Sequence, residues 1–142
     1  MGRFAKYFSI EGRASRLEYW RFQQTQALLA ALILIMTVPA TLAGGWLGAI
    51  PFSLIVPLLI ATACVVIRRL HDRGLSARWI VLFMVGPFAL AALAAPLGFS
   101  GRMIPVIWIL SLSSVGLAIW GFVEVGLRRG TRGDNRYGPP TA

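Results

Sequence analysis

The stretch that decides the fold runs from Phe22 to Ile67 and reads FQQTQALLAALILIMTVPATLAGGWLGAIPFSLIVPLLIATACVVI, without one charged residue. Crossing about 30 Å of hydrocarbon takes roughly 20 helical residues, so this stretch is long enough for two membrane spans. Gly44 and Gly45, near its middle, permit the tight turn of a helical hairpin. Two further charge-free runs, Trp79 to Gly101 and Met103 to Val123, are each long enough for one more span. The sequence therefore predicts four spans.

The composition agrees with a protein dissolved in lipid. Hydrophobic residues make up 57% of the 142 residues, charged residues only 13%, and the mean hydropathy is +0.72. A soluble domain carries about 25% charged residues. In hydrocarbon the backbone must satisfy its own hydrogen bonds, and the alternation typical of membrane barrel strands is missing. We predict an all-α membrane protein with four transmembrane helices arranged as two helical hairpins, with a short interfacial N-terminal segment.

The boundaries of the predicted segments follow the charged residues. A short turn around Gly98 to Arg102 is predicted to close the second hairpin. Pro57 and Pro87 lie deepest in their spans and are predicted to kink them, because each removes an intrahelical hydrogen bond. The predicted segments are a cytoplasmic, interfacial and amphipathic N-terminal segment 1–23, a transmembrane domain 24–127 with spans 24–43, 47–67, 79–97 and 104–127 and a cytoplasmic loop 68–78, and a basic cytoplasmic tail 128–142.

With four spans, the basic residues fall almost entirely on one side of the membrane. Of the 14 Lys and Arg residues, 13 precede the first span or lie in the central loop or the tail, and only Arg102 lies on the other side. The positive-inside rule then predicts that both termini and the central loop are cytoplasmic. All five acidic residues lie on or near the same face, so the opposite face has little with which to do chemistry.

The charge pattern and the scarcity of metal-binding residues argue against several classes of function. A net charge of +9 suggests nucleic-acid binding in a soluble protein, but here the basic residues flank apolar spans, where Lys and Arg contact lipid headgroups. We therefore expect anionic lipid headgroups as partners and no nucleic acid. His71 and Cys64, each the single residue of its type, provide neither a zinc ligand set nor a disulfide. We predict no metal, no cofactor and no catalytic residue.

A helix-start pattern precedes the first span. Residues 12–20 read GRASRLEYW, in which Ser15 can accept from the amide of Glu18 while the Glu18 carboxylate reaches back, as in a capping box. The arginines can reach lipid phosphates, and the tryptophan suits headgroup depth. An anchoring helix end and a docking surface for a partner both fit. The predicted interaction residues of this segment are Arg13, Ser15, Arg16, Glu18 and Trp20.

The central loop, from Arg68 to Trp79, reads RRLHDRGLSARW. Asp72 could stabilise an imidazolium at His71, or it could pair with Arg69 or Arg73. The glycine that follows allows the backbone to turn before the next span. We predict a salt-bridged turn that locks the two hairpins together, and its interaction residues are Arg68, Arg69, His71, Asp72 and Gly74.

One acid and the tail complete the predicted interaction surface. Glu124 lies near the end of the last span, where an isolated carboxylate is costly, so we predict that it pairs with Arg68 or Arg69. The tail is rich in turn formers and cannot continue a helix. It either folds back over the central loop or forms a solvated end, and its predicted interaction residues are Asn135 and Arg136.

Three ordered motifs resemble the YhaH-like family of small bacterial inner-membrane proteins, catalogued as domain of unknown function 805. The entry pattern Gly-Arg-x-Ser-Arg-x-Glu-aromatic-Trp matches Gly12 to Trp20, and Arg-Arg-Leu-His-Asp-x-Gly matches Arg68 to Gly74. The tail pattern Gly-Thr-x-Gly-x-Asn-Arg-aromatic-Gly-Pro matches Gly130 to Pro139. Where the family often has Lys-Ser-Gly-Trp-Trp, residues 75–79 read LSARW. The resemblance implies an inner-membrane location and four helices, but no reaction, ligand or catalytic residue.

Three functional hypotheses follow. The first is a non-enzymatic accessory or interaction protein whose arginine-rich cytoplasmic face binds anionic lipid and a protein partner, or a second copy of the chain. The second is a small transporter or channel component, with a path opened at the Pro57 and Pro87 kinks. The lack of charge within the spans argues against it, because intramembrane ionisable residues mark ion and proton routes. The third is a membrane enzyme that uses His71, with Asp72 or Glu18, on a lipid headgroup.

Overall fold

A computed structural model describes residues 5–98 and 103–139, and within these ranges the regular structure is helical. The predicted turn around Gly98 to Arg102, with its single basic residue, lies outside the described residues except for Gly98, which ends a helix. The segments in chain order are a 3-10 turn Ala5–Phe8, helix α1 Arg16–Ala43, a 3-10 turn Gly45–Gly48, α2 Ala49–Ser53, α3 Ile55–Asp72, a π-helical turn Val81–Val85, α4 Gly86–Gly98, α5 Ile104–Phe122 and a second π-helical turn Val123–Leu127.

Three of the described stretches are long and apolar enough to cross a membrane. They are Arg16–Ala43, Gly45–Asp72 and Ile104–Leu127, and a fourth apolar stretch, Val81–Leu97, is shorter. At 1.5 Å per residue the fourth stretch is about 25 Å long. Large apolar side chains project outward along these helices, among them Leu28, Leu42 and Phe88, with 74%, 83% and 75% of their surface exposed. Such a surface suits hydrocarbon and not water.

The helices pack as two pairs. Helix α1 runs along α2 and α3, and α4 runs along α5. The second pair is joined by a hydrogen bond from Ser114 Oγ to the Pro87 carbonyl, 2.8 Å long. The pairs meet in one apolar core, to which the first contributes Tyr19 and Phe22 and the second Phe83 and Val125. Because this core lies near the start of α1, the two pairs are fixed to each other at one end.

Helix α1 begins earlier than the predicted first span. It starts at Arg16, so residues 16–23, assigned from sequence to an interfacial segment, are continuous with the span. Ser15 is the N-cap, and its Oγ accepts from the amide of Glu18 at 3.2 Å. Side-chain capping satisfies one of the amides that a helix start leaves without a partner, so the helix is stable from its first turn.

Helix α3 continues into the stretch predicted as a loop. It ends at Asp72, so the first five residues of loop 68–78 are helical. Gly74 then adopts a φ of +73° and donates to the His71 carbonyl at 2.9 Å, while the Leu75 amide donates to the Leu70 carbonyl at 2.9 Å. These two bonds form a Schellman motif, which ends the helix and favours glycine at the left-handed position.

The two deep prolines lie beside irregular helical geometry. The break in the second apolar stretch is at Leu54, between α2 and α3, three residues before Pro57. Pro87 lies one residue into α4, directly after the π-helical turn Val81–Val85. Proline cannot donate to the carbonyl four residues earlier, and a break or a wider turn accommodates that loss.

Candidate functional site at the arginine-rich end

The three sequence motifs meet at one end of the helices, called here the arginine-rich end and consisting of residues 5–21, 68–78 and 123–139. Helix α1 begins at this end, α3 ends there, and the last π-helical turn, Val123–Leu127, also ends there, so the tail starts at the same place. Each of the predicted interaction residues lies within this end. The tail folds back over the end of α3, the first of its two predicted alternatives.

Asp72 is the centre of a buried charge cluster, called the Asp72 cluster and formed with Arg13 and Arg69. Arg13 donates to the Asp72 carboxylate from Nε at 2.9 Å and from Nη2 at 2.8 Å, and Arg69 donates to the other carboxylate oxygen. The two arginine side chains are 1% and 0% exposed. A charge removed this completely from water needs close counter-charges and hydrogen bonds, and here one carboxylate serves two guanidinium groups.

The remaining donors of Arg13 hold the tail in place. Its guanidinium donates to the carbonyls of Thr131, Gly133 and Gly138, at 2.7, 2.8 and 3.2 Å. The backbone carbonyl of Asp72 in turn accepts from the Thr131 amide at 2.8 Å and from its hydroxyl at 3.1 Å. The tail is therefore bound through its backbone to α3 and to the entry segment, the name used here for residues 12–20. These bonds fix the course of a segment that has no regular structure.

Side chains from α1, from α3 and from Arg73 just after α3 bind carbonyls at the end of the last helical turn and directly after it. A helix end leaves its final carbonyls without intrahelical partners, and arginine near that end also complements the helix dipole. Arg69 carries the largest share, since it binds two of these carbonyls in addition to Asp72. The contacts are Trp20 Nε1 to Gly126 at 3.0 Å, Arg16 Nη1 to Leu127 at 3.3 Å, Arg69 Nε to Val125 at 2.9 Å, Arg69 Nη2 to Arg128, and Arg73 Nη1 to Arg129 at 2.5 Å.

Glu124 pairs with different arginines from those predicted. Its carboxylate binds Arg73 Nη2 at 2.7 Å and Arg128 Nη1 at 2.9 Å, so the prediction of Arg68 or Arg69 is wrong. The donors of Arg69 are already bound to carbonyls and to Asp72, and Arg68 lies on another face of α3. Arg68 and Arg69 are consecutive residues of α3, and consecutive helical residues point about 100° apart, so at most one of the two could face Glu124.

Arg68 binds the entry segment instead. Its side chain, 2% exposed, forms an ion pair with Glu18, and the same carboxylate oxygen lies 3.2 Å from Lys6 Nζ. Its backbone carbonyl accepts from the Ala14 amide at 3.1 Å. The predicted capping box has two side-chain bonds. The one described is from the Glu18 amide to Ser15 Oγ, because the Glu18 carboxylate binds Arg68.

His71 contacts the tail and the entry segment. Its ring stacks on Tyr137, with centroids 3.8 Å apart and planes 6° apart, and its Nδ1 lies 3.3 Å from the Gly12 carbonyl. Asn135 Nδ2 donates to the His71 carbonyl at 3.0 Å. Arg136 lies over the Tyr137 ring, with Cζ 4.8 Å from the centroid, and its Nη2 donates to the Gly74 carbonyl at 3.1 Å. The sequence left open whether Asp72 pairs with His71, with Arg69 or with Arg73. In the structure it pairs with Arg69.

Four further residues of this site are not among the predicted interaction residues: Arg73, Gly130, Thr131 and Tyr137. The sequence suggests Arg73 only as a partner of Asp72, and it pairs instead with Glu124. A Cβ on Gly130 would overlap the Asp72 carboxylate, so glycine is required for the tail to approach the cluster. The tail motif contains three of the four, but its spacing does not show which groups it contacts. Among the described residues, no three His, Cys, Asp or Glu side chains come together as a metal site.

Comparison with known proteins gives matches over most of the chain. The pattern of the family described as "Protein of unknown function (DUF805)" matches residues 7–139. The chain is similar to the uncharacterized protein YiiR of Escherichia coli K12, with 31% identity over 141 residues, 94% of this chain and 86% of YiiR. It is also similar to the inner membrane protein YhaI of that strain, with 33% identity over 82 residues, 58% of this chain and 66% of YhaI. No solved structure matches.

Proposed function

Since the chain belongs to the DUF805 family of proteins of unknown function, we propose that it is a multi-pass inner-membrane protein that acts by binding and not by catalysis. In this proposal the chain crosses the membrane four times as two hairpins, and both termini are cytoplasmic. The arginine-rich end is then the cytoplasmic face. It binds anionic lipid headgroups and a protein partner, as an accessory subunit or as a self-associating unit.

The course of the chain supports four spans. Helix α1 leaves the arginine-rich end and Gly45–Asp72 returns to it, then Val81–Leu97 leaves it and Ile104–Leu127 returns. Because the tail that follows α5 contacts Asp72 at the end of α3, a third stretch that crosses the membrane despite its shorter length fits the course of the chain. The relative YhaI is named an inner membrane protein, which supports the same location for this chain.

The observation that carries the proposal is the imbalance of exposed charge. Among the described residues, exposed basic side chains far outnumber exposed acids, and most of them have no acid within reach. The buried arginines are already bound inside the protein, so the outer set is the part free to bind other molecules. The exposed basic residues are Lys6, Arg16, Arg21, Arg78, Arg128, Arg129, Arg132 and Arg136, and the exposed acids are Glu11 and Asp134.

Anionic lipid is the partner that suits this face best. Basic residues next to a span lie within reach of headgroup phosphates, and each contributes about 1 kcal/mol of attraction to an anionic surface. Trp20 and Trp79 are the sequence neighbours of the exposed Arg21 and Arg78, close to the ends of the apolar stretches, and aromatic rings there favour the headgroup region. The same charges, held on a rigid frame, also suit an acidic partner protein.

Native mass spectrometry of the gently solubilised protein tests the proposal. The test variant changes Arg21, Arg78 and Arg132 together to Gln, and the matched control changes them to Lys, which keeps the charge. We expect the parent and the Lys variant to retain anionic phospholipid, with any protein partner, and the Gln variant to lose most of both. Equal retention of anionic and zwitterionic lipid by the parent would contradict the proposal.

A further inference from the structure

A polar cavity of about 300 Å³ opens at the arginine-rich end, between the start of α1, the end of α3 and the tail. Its wall contains four arginines, two hydroxyl side chains and one carboxylate. No single sequence motif marks it, because its residues come from all three motifs and from Arg129, which directly precedes the tail motif. The lining side chains that matter are Arg13, Ser15, Arg16, Arg69, Asp72, Arg129 and Thr131.

The cavity has an excess of positive charge. The charges of the four guanidinium groups and of the Asp72 carboxylate sum to about +3 around this small volume. Two of the four, Arg13 and Arg69, are almost completely buried, so solvent screens their charge poorly. The other two, Arg16 and Arg129, are exposed at the rim. An anion in the cavity would therefore be attracted by all four.

Hydrogen-bond donors are also free at the cavity. The donors of Arg13 and Arg69 are bound to Asp72 and to carbonyls, but the Arg129 side chain forms no hydrogen bond or ion pair with any described residue. The Arg16 side chain has one bond, to the Leu127 carbonyl at 3.3 Å. The Ser15 oxygen accepts from the Glu18 amide, which leaves its hydroxyl hydrogen free to donate.

We propose that this cavity binds a single phosphate group, carried by a phospholipid headgroup or by a soluble phosphorylated molecule. Two guanidinium forks at the rim match the paired oxygens of a phosphate. A phosphate monoester also carries more negative charge than a carboxylate, so it balances more of the cavity's net charge of about +3. The lipid source rests on the proposed cytoplasmic, lipid-facing function, whereas the soluble source does not.

Titration of the purified protein with inorganic phosphate, in uncharged detergent at constant ionic strength, tests the site. We expect saturable binding by calorimetry and a raised unfolding temperature. Arg129→Gln and Arg16→Gln should each weaken binding about tenfold or more, because each removes a charge-assisted hydrogen bond. Glu11→Gln and Asp134→Asn, which change exposed residues outside the cavity, should not weaken binding. If the Arg16 variant does not fold, Arg129→Gln still tests the site. The Arg129 side chain forms no hydrogen bond or ion pair with a described residue, so its replacement should leave the fold intact.

Two outcomes overturn the proposal: no saturable phosphate binding, or binding that all four variants weaken equally. Nanodiscs distinguish the two sources. If a lipid headgroup occupies the cavity, phosphatidylglycerol suppresses phosphate binding in the parent relative to phosphatidylcholine. If the ligand is soluble, the lipid makes no difference. A normal phosphate titration together with no preference for anionic lipid would reject the lipid-binding function and keep the site.

Discussion

Replacing Asp72 by Asn tests the buried charge cluster most severely. The substitution keeps the size of the side chain but removes the one negative charge between Arg13 and Arg69, whose side chains are 1% and 0% exposed. It also brings an amide donor toward two groups that can only donate. The two guanidinium groups then remain buried without a counter-charge, and water cannot reach them without opening the tail and the entry segment.

The expected cost follows from that burial. Removing one partner of a buried ion pair costs about 3–5 kcal/mol, mostly because the other charge stays desolvated. Two arginines lose their partner here, but Arg13 keeps its bonds to three tail carbonyls and Asn can still accept one hydrogen bond. We therefore expect Asp72→Asn to lower the free energy of unfolding by about 3–5 kcal/mol, more than a hundredfold in the unfolding equilibrium constant.

The assay is equilibrium unfolding in mixed detergent micelles, with Asp134→Asn as the matched control. Asp134 is an exposed acid of the same tail, so its neutralisation should change stability little. A double-mutant cycle with Arg13→Gln isolates the pair and should give a coupling free energy of about 0.5–3 kcal/mol. If Asp72→Asn unfolds like Asp134→Asn, or if the cycle is additive, the reasoning about the Asp72 cluster is wrong.

Three further substitutions probe other contacts of the arginine-rich end in the same assay. Glu124→Gln should lower the free energy of unfolding by about 1–3 kcal/mol. This is less than the loss expected at the Asp72 cluster, because Arg73 is 19% exposed and water screens its charge. An unchanged free energy of unfolding would show that the pairing is unimportant. Gly130→Ala should cost about 1–3 kcal/mol through overlap with a carboxylate, whereas Gly116→Ala, with open space around it, should be neutral. His71→Ala should change stability little but make the tail more sensitive to protease, through loss of the stacked ring. A changed lipid profile in cells carrying the His71 variant would instead favour an enzyme.

The helical fold could be predicted from sequence because membrane helices depend on local hydrophobicity and length. Charge-free runs identified the long apolar helices, and Ser15 correctly marked the start of α1. The ends of the elements were less predictable. Residues 68–72 looked like a loop because they are charged, yet they continue α3, since their side chains find partners in the N-terminal segment and the tail.

The roles of the arginines could not be predicted from sequence. Basic residues beside an apolar span are usually interpreted as headgroup contacts. Arg13, Arg68 and Arg69 are instead buried. Arg13 and Arg69 donate to carbonyls in the tail and at the end of the last helix, whereas Arg68 binds the Glu18 carboxylate and the Lys6 carbonyl. Such contacts join residues 50 or more positions apart, and no local pattern specifies them. For the same reason the distant partner of Glu124, Arg73, was not predicted, whereas Arg128 lies four residues from Glu124, a spacing at which helical side chains can pair.

In the proposed topology the entry segment, the central loop and the tail lie together on the cytoplasmic side. Cysteine labelling in intact cells tests it, in a Cys64→Ala background that removes the native thiol. Single cysteines replace the exposed residues Glu11, Arg78 and Asp134, and Gly45→Cys marks the opposite end. We predict that a membrane-impermeant maleimide labels only the Gly45 variant from outside and labels the other three after permeabilisation. Labelling of any one of those three in intact cells would contradict the account.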